Sequence, residues 1–233
     1  MRLDGLIEEA EALLGRAVLR DHAGRIAMVS SFGADSAVLL SLLARVSPAT
    51  PVLLNETGML FRETLDYQRE LAAELGLSNV RLVRPTRAEI AAADPAGDLH
   101  ARAPDACCAL RKTAPLMRAL QPYSAWITGR KRFQTKARAA MPLVEVDVER
   151  RVKFNPLADW SVEDLSAYRR RFDLPPHPLV ARGYASIGCQ PCTTPVAVGE
   201  DPRMGRWRGE AKTECGIHIS GGTVVRIPSE NGA

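Results

Sequence analysis

One stretch of the sequence, residues 26–46, decides the fold: IAMVSSFGADSAVLLSLLARV. It begins with a short apolar run typical of a buried strand, continues through a polar loop that contains Gly33, and ends in an apolar helical stretch. The same order follows at once, because the strand Pro51 to Leu54 leads through the loop 55–58 into an amphipathic helix that ends at Gly76. Strands that alternate with helices over short connections predict an α/β fold: a parallel sheet with helices on both faces.

Other segments extend this pattern along the chain. The first twenty residues carry apolar side chains at helical spacing, and Ser161 opens a helix with a capping-box pattern that runs to Phe172. We predict further strands at 80–83 and 125–128, an edge strand at 143–148 and a helix at about 107–120. After Asp173, Gly, Pro and Arg become abundant. We therefore expect an α/β domain over residues 1–173 and, over residues 174–233, a loop-rich region of the same domain that holds a metal centre and ends in a mobile tail.

The overall composition is that of a globular protein. The chain has 233 residues, of which 46% are hydrophobic and 25% charged, and this excludes collagen-like and wholly disordered chains. The longest apolar runs fall far short of the roughly 20 residues that a membrane-spanning helix needs. The N-terminus soon becomes acidic, unlike a secretory signal. We expect a cytoplasmic protein with no membrane partner.

The distribution of charge is more informative than the net charge of +4. Residues 106–144 contain no Asp or Glu but eight cations. A solvated surface usually mixes both signs, so this segment favours a site for an anionic ligand. The cations are Arg111, Lys112, Arg118, Arg130, Lys131, Arg132, Lys136 and Arg138.

Two loops are candidates for that anion site. The loop 30–36 joins a predicted strand to a helix, where backbone N–H groups, serine hydroxyls and the helix dipole favour an anion. The loop 55–58 has the same place in the next unit. Neither is a Walker A sequence, which disfavours a nucleoside triphosphatase of that class. An ordinary strand-to-helix turn remains the alternative interpretation of each loop alone.

Five cysteines divide into four plus one. In a cytosolic protein a disulfide framework is disfavoured, so the adjacent Cys107 and Cys108 and the C-x-x-C pair Cys189 and Cys192 suggest a four-sulfur metal site. Adjacent cysteines chelate one tetrahedral zinc ion poorly, whereas an iron–sulfur cluster offers separate irons. An iron–sulfur cluster is therefore favoured over zinc, with a redox dithiol at the C-x-x-C pair as a further alternative.

Cys215 stands alone and is a candidate nucleophile. Cations lower the pKa of a thiol, and several precede this cysteine: Arg203, Arg206, Arg208 and Lys212. His218 either tunes the thiol or hydrogen-bonds the tail, and the residues alone do not decide between these roles.

Together these motifs resemble the assimilatory sulfonucleotide reductases, over about residues 26–218. The resemblance rests on the loops 30–33 and 57–58, the stretches 107–112, 129–138 and 189–192, and Glu214-Cys215-Gly216-Ile217-His218. Both cysteine pairs resemble the branch of the family that carries a [4Fe-4S] cluster and reduces adenylyl sulfate (APS). The related branch that uses the 3′-phosphorylated nucleotide (PAPS) commonly lacks them.

The resemblance implies an adenine nucleotide alpha hydrolase-like fold of the PP-loop type and a thiol-dependent reduction of APS to sulfite and AMP in sulfate assimilation. It assigns Cys215 as the nucleophile, His218 as a further catalytic residue, Lys112 as a catalytic residue between cluster and substrate, and a [4Fe-4S] cluster to Cys107, Cys108, Cys189 and Cys192. Thioredoxin or glutaredoxin is the implied electron donor, nucleic acid is not a partner, and a homo-oligomer is compatible with the family. The implied substrate-binding residues are Ser30, Ser31, Phe32, Gly33, Ser36, Thr57, Gly58, Arg132, Arg138, Arg203, Arg206 and Trp207.

Two positions depart from the family pattern. Glu56 replaces the usual Asp before Thr57-Gly58, and Lys131 replaces the first of two arginines. Lys131 receives less weight than Arg132, because an ammonium group cannot make a forked contact.

Three alternative functions compete with APS reduction. One is reduction of PAPS. Another is a PP-loop ATP pyrophosphatase, whose loop would typically read Gly-Gly-x-Asp-Ser. The third is a four-cysteine zinc module that binds nucleic acid, which the 5% aromatic content supports poorly.

Overall fold

The computed structural model describes residues 2–209, 212 and 216. In this part of the chain six strands form one sheet in the order β3-β2-β1-β4-β6-β5. All neighbouring strands are parallel except β5, which runs antiparallel to β6 at the edge. The strands are β1 (Ile26–Ser30), β2 (Val52–Asn55), β3 (Val80–Val83), β4 (Ala125–Thr128), β5 (Val144–Val146) and β6 (Val152–Phe154).

Helices cover both faces of the sheet. A large apolar cluster joins one face to α1, α2, α3 and α8, and a smaller one packs Leu116 and Leu120 of α7 against Trp126 on the other face. The predicted adenine nucleotide alpha hydrolase-like fold of the PP-loop type is confirmed. The helices are α1 (Arg2–Arg16), α2 (Ser36–Val46), α3 (Arg62–Glu74), α4 (Arg87–Ala93), α5 (Leu99–Arg102), α6 (Pro104–Cys108), α7 (Ala114–Leu120) and α8 (Val162–Arg171).

The predicted helix over 107–120 is divided in the structure. Its segments α6 and α7 are joined by a π-helical turn, Ala109–Thr113. A π turn adds one residue to a helical turn and changes the direction of the side chains that follow it. The turn carries Arg111 and Lys112, so it sets how these two cations are presented.

The sequence analysis missed α4, α5 and β6, whereas the capping box at Ser161 is confirmed. Strand β6 has only three residues, with charged Lys153 at its centre. Its tertiary neighbours explain why that charge is tolerated: the Lys153 ammonium lies 4.6 Å from the centre of the Trp126 ring and 3.3 Å from a Glu145 oxygen. Burial lowers the pKa of Lys153 to about 8.

No helix among the described residues is long and apolar enough to cross a membrane. After α8 the described residues form short 3-10 turns, such as Pro178–Arg182 and Gln190–Cys192, and isolated β-bridges. The boundary expected at residue 173 stays a prediction.

A buried histidine connects this last region to α3. The side chain of His177 is fully buried, and its Nδ1 accepts a hydrogen bond of 3.2 Å from the Leu179 amide. Nδ1 therefore carries no proton, and Nε2 donates to the Thr64 hydroxyl, 3.1 Å away. Burial lowers the pKa of His177 to about 4, so the folded protein holds a neutral imidazole.

We expect the free energy of unfolding to fall as the pH drops from about 6.5 toward 4. In that window the unfolded chain binds a proton at His177 and the folded chain does not, which costs about 2 kcal/mol at pH 5. Urea unfolding at pH 7 and pH 5 measures the loss. His177→Gln should reduce it, and His100→Gln is the control. An equal pH dependence in the wild type and His177→Gln would contradict the assignment.

Candidate functional site

A cavity of about 230 Å³ opens at the carboxyl ends of β1, β2 and β4. Ser30, Asn55 and Thr128 stand at these three strand ends and line it. The connections leave β1 and β4 in opposite directions across the sheet, which is where open α/β sheets bind ligands. The cavity is thus at the place where the sequence predicts an anion site.

The loop 30–36 forms one wall of this cavity. The Ser30 hydroxyl accepts a hydrogen bond of 3.2 Å from the Phe32 amide, and the Ser31 hydroxyl lies 3.5 Å from that of Ser36 at the start of α2. The backbone of Phe32 is in the left-handed region, with φ of 47°, and its ring is fully buried in the core. Ser30, Ser31, Gly33 and Ser36 line the cavity, whereas Phe32 is not among the lining residues.

The cavity also has a basic wall. The cations that line it are Lys112, Arg130, Lys131, Arg138, Arg203 and Arg206. Arg132, a predicted substrate-binding residue, is not brought to the cavity: its guanidinium donates to the carbonyl of Met141, at 2.7 Å, and to Asp159. Lys131, which the sequence analysis gave less weight, lines the cavity instead.

Two of the lining cations are buried against acids that the sequence analysis did not single out. Lys131 Nζ lies 3.0 Å from a carboxylate oxygen of Asp35, and burial lowers the pKa of this lysine. Arg130 donates to the buried carboxylate of Glu145 and to the amide oxygen of Asn155. These cations are separated from their acids in the sequence, so no local pattern could reveal the pairs.

Asp35, in the loop 30–36, is the counterion of two cations, Lys131 and Arg169. Arg169 of α8 donates to its carboxylate at 3.2 Å in addition to the contact from Lys131. Burial alone would raise the pKa of Asp35, but the two cations outweigh it, so the pKa is lowered. The ionised carboxylate therefore holds α8 and the basic wall against the loop 30–36.

The four paired cysteines lie beside this cavity and form no disulfide among the described residues. Cys107, Cys108 and Cys189 are buried, and Cys192 is half-buried. Burial, followed by the adjacent Cys108, raises the pKa of Cys107 to about 11, with smaller effects from Cys189 and Cys192. The two sequence pairs thus lie in one neighbourhood. Among the described residues, however, no three His, Cys, Asp or Glu side chains are grouped to hold a metal ion.

Lys112 adjoins both the cavity and the cysteines. It lines the cavity, and its charge acts on Cys192: burial and Cys189 raise the pKa of that thiol, whereas Lys112, Arg206 and Lys212 oppose the rise. Trp207, also predicted for the substrate site, is buried and lines the cavity.

Thr57 and Gly58, by contrast, are not among the lining residues of the cavity. The Thr57 hydroxyl lies 3.3 Å from the sulfur of Cys189. The other two predicted catalytic residues, Cys215 and His218, lie outside the described residues.

A buried ion pair positions the Thr57 loop against the cysteines. Arg111 donates to one carboxylate oxygen of Asp94 at 2.6 Å and to the carbonyl of Thr57 at 2.9 Å. The other carboxylate oxygen of Asp94 accepts from the Leu99 amide at 2.9 Å. Arg111 thereby links the segment after Cys108 with the loop that contacts Cys189. In the sequence Arg111 is one of eight cations and part of the stretch 107–112, and neither pattern reveals these contacts.

The fold and the cavity define a nucleotide-binding protein of the PP-loop type, and comparison with known proteins gives the family. Residues 25–195 match the family model described as phosphoadenosine phosphosulfate reductase domain. The chain belongs to this family of sulfonucleotide reductases, and its relatives place it in the APS branch.

Two relatives and one solved structure illustrate the likeness. The adenosine 5′-phosphosulfate reductase of Chelativorans sp. (strain BNC1) is 55% identical, covering 91% of this chain and 86% of that protein. The adenosine 5′-phosphosulfate reductase of Mesorhizobium japonicum is 54% identical, covering 84% and 77%. The crystal structure of phosphoadenylyl-sulfate (PAPS) reductase from Candida auris, a phosphate complex, is 25% identical with a TM-score of 0.67, covering 82% of this chain and 96% of that one.

Replacing Asp94 with Asn should destabilise the protein by about 3 kcal/mol, because it leaves the buried Arg111 charge without its carboxylate. The matched control is Asp98→Asn, which removes an exposed ion pair with Arg102 and should change stability by less than about 1 kcal/mol. Urea unfolding of both variants measures the difference. Equal losses of stability in the two variants would show that the buried Asp94–Arg111 pair contributes no more than an exposed ion pair.

Proposed function

We propose that the chain reduces adenylyl sulfate to sulfite and AMP in sulfate assimilation, with Cys215 as nucleophile. The observation that carries the proposal is the position of the cavity: it lies at the switch point of the sheet, is lined by cations, and adjoins the two cysteine pairs. Membership of the APS branch supports the same substrate. A phosphosulfate is a compact polyanion that such a wall suits.

In the proposed first step, the Cys215 thiolate attacks the sulfur of APS. An S–S bond forms, the bond between that sulfur and the bridging oxygen breaks, and AMP leaves with the electron pair. In the second step, a thiolate of a reduced dithiol protein such as thioredoxin or glutaredoxin attacks Cys215 and releases sulfite. The second donor thiol then closes the donor disulfide and restores Cys215, so the donor supplies two electrons.

The cavity residues stabilise charge in this reaction. Negative charge develops on the bridging oxygen as AMP leaves. We assign Ser30, Ser31, Gly33 and Ser36 to bind the nucleotide, and Arg138, Arg203, Arg206 and Trp207 to hold its anionic groups. Lys112 is assigned to the reacting phosphosulfate because it adjoins both the cavity and the thiols. His218 stays a prediction, as does a role of Phe32, Thr57, Gly58 or Arg132 in substrate binding.

The environment of the cysteines fits a [4Fe-4S] cluster. Three of the four thiols are buried, and the Thr57 hydroxyl lies 3.3 Å from the sulfur of Cys189. Trp207, whose amide donates to the carbonyl of Cys192, has a buried Nε1 with no hydrogen-bond partner among the described residues. Such donors suit a group rich in sulfur acceptors. Cys107, Cys108, Cys189 and Cys192 would hold the cluster, which would supply an electrostatic contribution, since the thiol donor supplies the electrons.

Cys215→Ser should abolish sulfonate transfer and retain binding of APS. The parent protein, incubated anaerobically with APS and no reductant, should gain the mass of one sulfonate group, because the second step cannot proceed. Intact-mass measurement and calorimetry with APS test both points.

The mass experiment also separates the alternatives. Release of the sulfonate by reduced thioredoxin, with stoichiometric sulfite, supports the proposed donor, and the same assay with PAPS tests a PAPS reductase. Binding of APS without an adduct would refute Cys215 as the carrier and favour a PP-loop ATP pyrophosphatase. Zinc in place of iron, with no turnover, would favour the nucleic-acid module.

Lys112→Ala should lower kcat/KM for APS by roughly 10- to 100-fold, the usual loss for a hydrogen bond to a charged group. The iron content should change much less. The matched control is Lys136→Ala, an exposed lysine of the same acid-free segment that does not line the cavity. Loss of all iron in Lys112→Ala would instead show a structural role for this lysine.

A further inference from the structure

A glycine in the cavity wall lies directly against an arginine. A Cβ atom added to Gly188 would lie 2.3 to 2.7 Å from the terminal nitrogens and Cζ of Arg206. Carbon atoms do not approach other heavy atoms this closely without repulsion. The guanidinium of Arg206 therefore occupies the space that any other residue at 188 would fill.

Two further contacts hold this guanidinium. Its Cζ lies 4.4 Å from the centre of the Trp207 ring, and Nη1 donates to the Ile187 carbonyl at 3.4 Å. Trp207 has a left-handed backbone, with φ of 48°, and its amide donates to the carbonyl of Cys192 at 3.1 Å. The planar group is thus held against the Gly188 backbone and the indole, where both Gly188 and Arg206 line the cavity.

The backbone itself does not require glycine at this position. The φ angle of Gly188 lies outside the left-handed region, so alanine is conformationally allowed there. Gly205 provides a contrast, because a Cβ there would lie 2.3 Å from the carbonyl oxygen of Thr194. At Gly205 the obstacle is backbone, whereas at Gly188 it is the end of a flexible side chain that is able to move.

We propose that Gly188 is a positioning residue that acts through Arg206. Because Gly188 has no side chain, the guanidinium lies flat against its backbone and presents its N–H groups to the anionic end of the substrate. This inference rests on the proposed function, which supplies the phosphosulfate. Alanine at 188 displaces the guanidinium from this position without breaking a backbone contact. Preorganisation of the arginine is lost, while the fold is retained.

The test is a double-mutant cycle in the Cys215→Ser background, where APS binds without reacting. Calorimetry gives the dissociation constant of APS for four proteins: the Cys215→Ser parent and, in that parent, Gly188→Ala, Arg206→Ala and the double variant. We expect Gly188→Ala to weaken binding roughly 10-fold when Arg206 is present. In the Arg206→Ala background the same substitution should change the constant by less than about twofold.

Gly15→Ala is the matched control, since a Cβ at this helical glycine meets nothing within 4 Å, and it should bind APS like the parent. Thermal unfolding and iron content should agree across all the variants. Equal weakening by Gly188→Ala in both backgrounds, no weakening in either, or failure of Gly188→Ala to fold would each overturn the proposal. Failure of the parent to bind APS would overturn the proposed function and this inference together, and that result appears before any glycine is changed.

Discussion

The parallel pairing of β1 with both β2 and β4 is the constraint on which the rest of the structure depends. Parallel strands cannot be joined by a hairpin, so each connection between neighbouring parallel strands must cross a face of the sheet. The loops after these three strands therefore open at one edge. Met28 pairs with Val52 on one side and Ile127 on the other, and the cavity lies beyond this reversal of strand order.

The cysteine neighbourhood depends on a second constraint, the buried charge of Arg111. A guanidinium in this environment needs both a counterion and carbonyl acceptors. Asp94 and the Thr57 carbonyl provide them, and the contact of Thr57 with Cys189 joins the second cysteine pair to the first. A single arginine thus connects the end of α4, the loop after β2 and the π turn after Cys108.

Charge in the cavity is partly balanced by the protein itself. The Lys131 and Arg130 cations face Asp35 and Glu145 respectively, so the number of lining cations overstates the field on a ligand. Four of the eight cations of the acid-free segment line the cavity, and the sequence does not distinguish them from the other four. Lys131 and Arg132 illustrate this. Lys131 pairs with Asp35 of the loop 30–36 at the cavity, whereas Arg132 donates to the carbonyl of Met141 and to Asp159 and does not line the cavity.

The sequence by itself determined the α/β class, the loop 30–36 that lines the cavity, the two cysteine pairs and the family. These features are local, because strand and helix periodicity, loop composition and short spacings are set by neighbouring residues. Only the tertiary structure decided four other features: strand β6, the contacts of Arg111, the presence of Lys131 rather than Arg132 at the cavity, and the position of Arg206 against Gly188. Each depends on groups distant in the sequence that must satisfy a buried charge or share one small volume, and neither requirement leaves a periodic pattern along the chain.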